Sequence, residues 1–211
     1  MDLHLVIANP NLEFCEIAAW RFRDYEMVEV FHGKFEEVNH FDCVVTAGNS
    51  FGLMDAGMDL AVVKYFGIEI QEKIQAVVLE QFLGEQPVGT SFLIKTGDRN
   101  HPYIAHTPTM RVPLNLNFTD NIYLATWASL LAIHHHNQSS DNTILTAVFP
   151  AFGVGTGGVD GIEASYQMKL AYENYLNPPQ FLNGSFAQQR HEKVHYGTRY
   201  GFENPRIPES L

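Results

Sequence analysis

The sequence predicts an α/β domain built on a mostly parallel sheet with helices on its faces. Three observations predict it. Short apolar, β-branched runs alternate with segments of helical periodicity along the whole chain. Two of those runs, Cys43-Val44-Val45 and Thr143-Ile144-Leu145, open into glycine-bearing loops that a helical segment then follows. Cys43-Val44-Val45 also lacks polar alternation, as a strand covered on both faces should.

Leu3 to Ala8 reads as the first strand, closed by Asn9-Pro10-Asn11. Asn11 can cap a short helix that places Leu12, Cys15, Ala19 and Trp20 inward. Met27 to Phe31 is the second strand and Phe41 to Ala47 the third. Asp59 to Phe66 is a short helix stopped by Gly67. Ile70, Ile74, Val77, Val78 and Phe82 trace one face of the next helix, ended by Gly84. Ser91 to Lys95 and Tyr103 to Thr107 are two further short strands. The segment from Thr107 to Pro113, with its two prolines, is expected to be irregular. A helix from about Asn121 to His136 carries Tyr123, Trp127, Leu130, Leu131 and His134 along a stripe. Thr143 to Phe149 is the sixth strand, and Ile162 to Leu176 the last helix, ending before Asn177-Pro178-Pro179. Residues 1–176 thus form the domain, and 177–211, rich in Gln, Asn and charge, an appendage on its surface.

Composition narrows the function. With 211 residues the chain suits one domain with a sizeable core. No apolar run approaches the roughly 18 residues of a membrane span, and Met1-Asp2-Leu3-His4 does not open like a signal peptide. Cys15 and Cys43 both sit in apolar runs, the setting of buried free thiols, so a reduced, cytoplasmic protein is expected. A net charge of −11 argues against a nucleic-acid partner, whose phosphates need clustered Lys and Arg.

The two loops carry the chemistry. The first runs Thr46-Ala47-Gly48-Asn49-Ser50-Phe51-Gly52-Leu53-Met54-Asp55-Ala56-Gly57-Met58-Asp59, and the second Phe149-Pro150-Ala151-Phe152-Gly153-Val154-Gly155-Thr156-Gly157-Gly158. A strand that ends in glycines and opens a helix offers backbone N–H groups and a helix N-terminus to an anion. Neither loop contains Lys or Arg, so a phosphate would be held by the backbone, which suits one small nucleotide with a diphosphate.

These residues resemble the macro domain, the ADP-ribose-binding module. In that family a buried strand enters an Asn-Ala-Ala-Asn motif and a glycine run, and a later strand enters a second glycine loop around the diphosphate. Here Thr46-Ala47-Gly48-Asn49 stands at the motif, retaining Ala47 and Asn49. Asn-Ser-Phe-Gly followed by Met-Asp-x-Gly is similar to a divergent phage and bacterial branch. The resemblance runs from about Val28 to Leu176 and implies a three-layer α/β/α macro-domain fold. Its central sheet would be mixed, mostly parallel, with six or seven strands.

The resemblance further implies an ADP-ribosyl hydrolase that needs no cofactor and no metal. Its partners would be ADP-ribose or a derivative, or an ADP-ribosylated macromolecule. Asn49 would bind the distal ribose, and Asp59, ten residues on, would orient or activate a water. Ala47, Gly57 and Met58 would line the ribose and phosphate, while Gly153, Val154, Gly155, Thr156 and Gly157 cradle the diphosphate. His106 matches a histidine that the family often keeps at this strand end. Gly33-Lys34-Phe35 replaces a Gly-Asp-Ile segment whose Asp reads adenine, which Lys34 cannot do. Phe35 is left to contact the base. Asp55 replaces a glycine and adds a second carboxylate.

Plainer readings of the same residues stand beside these. Gly48-Asn49-Ser50 is also turn chemistry, and Asp59 could cap its helix. His134-His135-His136 cannot converge on one metal from a helix, where neighbours point about 100° apart. A non-catalytic ADP-ribose or NAD-metabolite reader, or an ADP-ribose 1″-phosphate phosphatase, would use the same loops. A Rossmann oxidoreductase is disfavoured, because no Gly-x-Gly-x-x-Gly follows the first strand.

Overall fold

The structure, a computed structural model, describes residues 3–194. The elements in chain order are β1 (His4–Asn9), α1 (Leu12–Phe22), β2 (Val28–His32), a 3₁₀ turn (Phe35–Glu37), β3 (Cys43–Val45) and β4 (Gly48–Asn49). There follow α2 (Gly57–Phe66), α3 (Glu69–Phe82), β5 (Phe92–Lys95), β6 (Tyr103–His106) and β7 (Pro108–Met110). The chain ends in α4 (Asn121–Ser139), β8 (Thr146–Pro150), α5 (Gly161–Leu176) and α6 (Gly184–Val194).

Six strands form one sheet in the order β2-β1-β8-β3-β6-β5, and only the β5–β6 pair is antiparallel. Residues of each central strand alternate between two cores. Leu5, Ile7, Val45 and Phe149 face α1, α4 and α5, whereas Val6, Ala8, Val44 and Val148 face α2 and α3. This two-sided burial explains why the strands read as unbroken apolar runs. The result is the three-layer α/β/α arrangement. Asp42 sets the register at its centre, its Oδ2 accepting from the Leu145 and Thr146 amides at 2.8 and 2.9 Å.

Four expectations need correction. Asn11 does cap α1, accepting from the Phe14 amide, but the buried face is Phe14, Cys15, Ala18 and Phe22. Leu12 and Trp20 are 54% and 37% exposed, so the stripe lies one position round. The cause is that α1 packs on both the sheet and α5, which widens the buried arc towards Phe14 and Phe22. Second, residues 108–110 are not irregular: they form β7, parallel to β4, with Pro108 at the first position where a strand tolerates it. Third, β8 starts at Thr146, because the Asn137 side chain takes both the amide and the carbonyl of Ile144. Fourth, α4 continues to Ser139, placing the three histidines inside its last turns.

Of the segment read as a surface appendage, residues 195–211 lie outside the described residues, and α6 is an exposed helix on α4 and α5. Arg190 anchors it. Its Nε and Nη2 donate to the Tyr123 hydroxyl at 3.3 and 3.1 Å, and its guanidinium lies 4.8 Å from the Trp127 ring centre. Arg190→Ala should weaken docking by about 1 kcal/mol, read as faster hydrogen exchange confined to α6. No described helix is long and apolar enough to cross a membrane.

Candidate ligand site

Strands β3 and β8 are parallel neighbours, so the loops that leave their carboxyl ends start about 4.8 Å apart. This is the edge at which open α/β sheets bind ligands. Segment 108–117 ties the two loops together: β7 pairs with β4, and the Leu116 amide donates to the Gly157 carbonyl at 2.8 Å.

In the first loop, Asn49 is a structural residue in part. Its Oδ1 accepts from the Phe51 and Leu53 amides at 3.1 and 3.3 Å, and its Nδ2 donates to the Leu53 carbonyl at 2.7 Å. The turn reading of Gly48-Asn49-Ser50 is therefore realised. Gln71 Oε1 accepts from the Met54 amide at 2.9 Å and fastens the loop to α3. Ala47 is half-buried at the loop's start. Helix α2 begins at Gly57, in a left-handed conformation (φ +55°), and has no side-chain cap. Ala56 at its N-cap supplies no side-chain acceptor, so the first amides of α2 lack a capping bond. Asp59 lies in the first turn of the helix rather than before it.

Asp59 is only 4% exposed. Burial pushes its carboxyl up to about 7; the Thr46 hydroxyl opposes that shift and the exposed Asp55 carboxylate adds to it. Among the described residues, Oδ1 has no hydrogen-bond partner. A buried carboxyl poised near neutrality is suited to proton transfer.

The second loop is built around its glycines. Gly153 needs its positive φ of +74°, and a Cβ there would lie 2.6 Å from Ile122 Cδ1. A Cβ on Gly157 would lie 2.6 Å from the Gly153 carbonyl oxygen. The loop closes on itself through Gly158 N–H to Gly155 O and Val159 N–H to Gly153 O, each 3.0 Å. Among the described residues, the amides of Val154, Gly155, Thr156 and Gly157 donate to no backbone or side-chain oxygen. Four consecutive N–H groups remain for an anion. Asp160 ends the loop by capping α5, accepting from the Glu163 amide at 2.9 Å.

Phe35 is positioned differently from its neighbours. Its ring is buried in the core between Phe41 and Tyr65. Lys34 is exposed, and its amide donates to Glu37 Oε2 at 2.9 Å. Among the described residues, no three of His, Cys, Asp and Glu gather as around a metal ion.

Sequence reasoning missed Gln86, and with it the use of His106. His106 is fully buried at the end of β6, with Nδ1 2.7 Å from Gln86 Oε1. Asn115 and Asn117 were missed too; Asn117 Nδ2 donates to the Gly158 carbonyl at 3.2 Å and steadies the second loop. The Asn-Leu-Asn spacing before α4 was the available signal.

The sequence profile of the Macro domain matches residues 45–168. An uncharacterized protein of Aquifex aeolicus is 28% identical over 134 residues, 63% of this chain and 72% of its own length. Among solved structures, the macrodomain of Mycobacterium tuberculosis DarG matches with TM-score 0.54 at 20% identity, over 65% of this chain and 84% of that one. The Oceanobacillus iheyensis macrodomain with ADP matches with TM-score 0.55 at 18% identity, over 73% and 83%. Thermosipho africanus DarTG in complex with ADP-ribose matches with TM-score 0.51 at 14% identity, over 83% and 51%. At these identities the likeness to solved structures concerns the fold.

Proposed function

This chain belongs to the macro domain family, and on that premise we propose that it binds ADP-ribose or a close derivative and hydrolyses an ADP-ribosyl linkage. The observation that carries the proposal is the run of unengaged amides at 154–157, on the loop that leaves β8 next to the β3 loop leading to the uncapped N-terminus of α2. The diphosphate sits on the amides of Val154, Gly155, Thr156 and Gly157. Gly57 and Met58 contact the ribose and phosphate through their backbone, and Ala47 and Asn49 line the distal ribose. The base is read by the backbone at Phe35, since its ring is committed to the core. Asp59 orients a water at the anomeric carbon and takes its proton. Positioning supplies much of the rate, because the glycosyl bond breaks through a loose, cationic transition state.

The test is calorimetric titration with ADP-ribose, ADP, AMP and NAD. Micromolar or tighter binding of ADP-ribose with weak binding of ADP supports the reading; no binding of any of them removes it. Gly155→Glu is the matched variant. A Cβ there meets nothing within 4 Å, so the fold should melt as wild type does. The added carboxylate should cost at least about tenfold in affinity, or roughly 1.4 kcal/mol.

The same loops would serve a reader that binds without cleaving. The deep burial of Asp59 and the engagement of the Asn49 side chain in its own turn favour that second reading. Release of ADP-ribose from a modified protein or a small ADP-ribosyl ester separates the two.

A further inference from the structure

Segment 108–117 sends three N–H groups to the second glycine loop. The Leu116 amide donates to the Gly157 carbonyl at 2.8 Å, and Asn117 Nδ2 donates to the Gly158 carbonyl at 3.2 Å. Those two bonds hold the shape of the loop. The third group is Asn115 Nδ2, 2.9 Å from the point at which a Cβ on Gly158 would sit. Among the described residues it donates to nothing.

Asn115 is exposed, so an idle amide alone would mean little. What distinguishes it is a fixed aim. Its Oδ1 accepts from the Asn117 amide at 2.9 Å, which identifies the oxygen end of the side chain and leaves Nδ2 against the loop. Gly158, at φ +66°, admits it, because any side chain there would meet Nδ2 at its first carbon. The four unengaged amides of Val154 to Gly157 come immediately before Gly158 on the same loop. No cation is at hand to share their work. The two glycine loops contain none, and Arg111, the one cation between Thr107 and Thr119, is bonded to Glu85 at 2.6 Å.

We propose that Asn115 is a ligand-binding residue, its side-chain amide donating to a phosphate oxygen of the nucleotide beside the amides at 154–157. This rests on the reading of that loop as the diphosphate cradle. A hydrogen bond to an ionised acceptor is roughly twice as strong as one between neutral groups. The bond from Asn117 already restrains the Asn115 side chain, so little rotamer freedom is left to lose when the ligand arrives. Leu116 and Asn117 thus shape the cradle, and Asn115 extends it with a side chain from outside the loop.

The test is calorimetric titration of the full chain with ADP-ribose and ADP, for wild type, Asn115→Ala and Asn115→Asp. Asn115→Ala should weaken ADP-ribose about tenfold, the loss of one donor to a charged acceptor. Asn115→Asp keeps the acceptor that the Asn117 amide uses, so its melt should match wild type. It should bind about a hundredfold more weakly, because a carboxylate now meets the phosphate. Raising salt to about 0.5 M should narrow the gap between the two variants but leave the loss in Asn115→Ala. In wild type, the side-chain NH₂ resonances of Asn115 should shift on saturation with ADP-ribose. Resonances that stay put overturn the proposal without any variant. So does wild-type affinity in both variants, or a loss confined to Asn115→Asp and erased by salt, which is charge acting at a distance. A wild-type protein that binds neither nucleotide removes the cradle reading itself, and the proposal with it.

Discussion

Asp59→Asn is expected to be more stable than the wild-type protein above pH 7 and, under the proposed hydrolysis, to release ADP-ribose at least about a hundredfold more slowly. Both effects follow from burying a carboxyl whose pKa is raised from its ordinary 3.8 to about 7. A group whose folded pKa is raised contributes stability that is complete below its unfolded pKa. That contribution is lost as pH climbs through the folded one. The wild-type protein should therefore weaken between about pH 4 and 7, by up to roughly 4 kcal/mol for a shift near three units. The amide replacement carries no charge at any pH, so its contribution should stay flat. Urea denaturation at pH 5 and pH 8 measures the difference. Equal stability of the two proteins at pH 8 would mean that the Asp59 carboxylate is far better solvated than its burial implies. A gain in stability on removing a buried charge is the sign expected where function holds a group in an unfavourable place, as the proposed role of Asp59 would.

Gly157→Val should damage both stability and binding. Its Cβ would lie 2.6 Å from the Gly153 carbonyl oxygen and 3.0 Å from Leu116 Cδ1, and neither neighbour is free to move. The carbonyl holds the Val159 amide that closes the loop, and Leu116 is fully buried with its own amide bonded to Gly157. Overpacking of this kind costs about 1–3 kcal/mol. The distortion falls on the amides that the diphosphate would use, so affinity for ADP-ribose should fall about a hundredfold, or roughly 2.7 kcal/mol. Calorimetry and a thermal melt read the two effects separately. A Gly157→Val protein that binds as wild type does would move the anion away from this loop.

The contrast with Gly155 shows what the sequence could and could not tell. Four glycines between 153 and 158 were visible as a cradle, and the strand-to-helix order was enough for the fold. Which glycine is indispensable depends on Ile122, Leu116 and the Gly153 carbonyl, which only the folded chain brings there. The same holds for His106 and Gln86. Each is an isolated polar residue in sequence, and their pairing spans 20 positions and two strands. Phe35 was expected to contact the base through its ring or its backbone N–H; its ring fills the space between Phe41 and Tyr65, which leaves the backbone. Periodicity over three residues is too short to tell which way a side chain turns. The missed β7 has a similar cause. Two prolines signal a break, but a strand only three residues long can place one of them at its first position.

The position of β8 at the centre of the sheet has a consequence for synthesis of the protein. This strand, near residue 150 in sequence, lies between β1 and β3 and bonds to both. A nascent chain that has emerged only as far as α4 has two separate strand groups and nothing to join them. Its β1–β2 and β3–β6–β5 pieces are left with the facing edges of β1 and β3 unpaired until the late strand enters between them. Closure then completes the sheet and delivers the second glycine loop in one event. Ligand capture by a stalled ribosomal chain should accordingly switch on only after α5 has cleared the exit tunnel, which makes binding a timer for the end of folding.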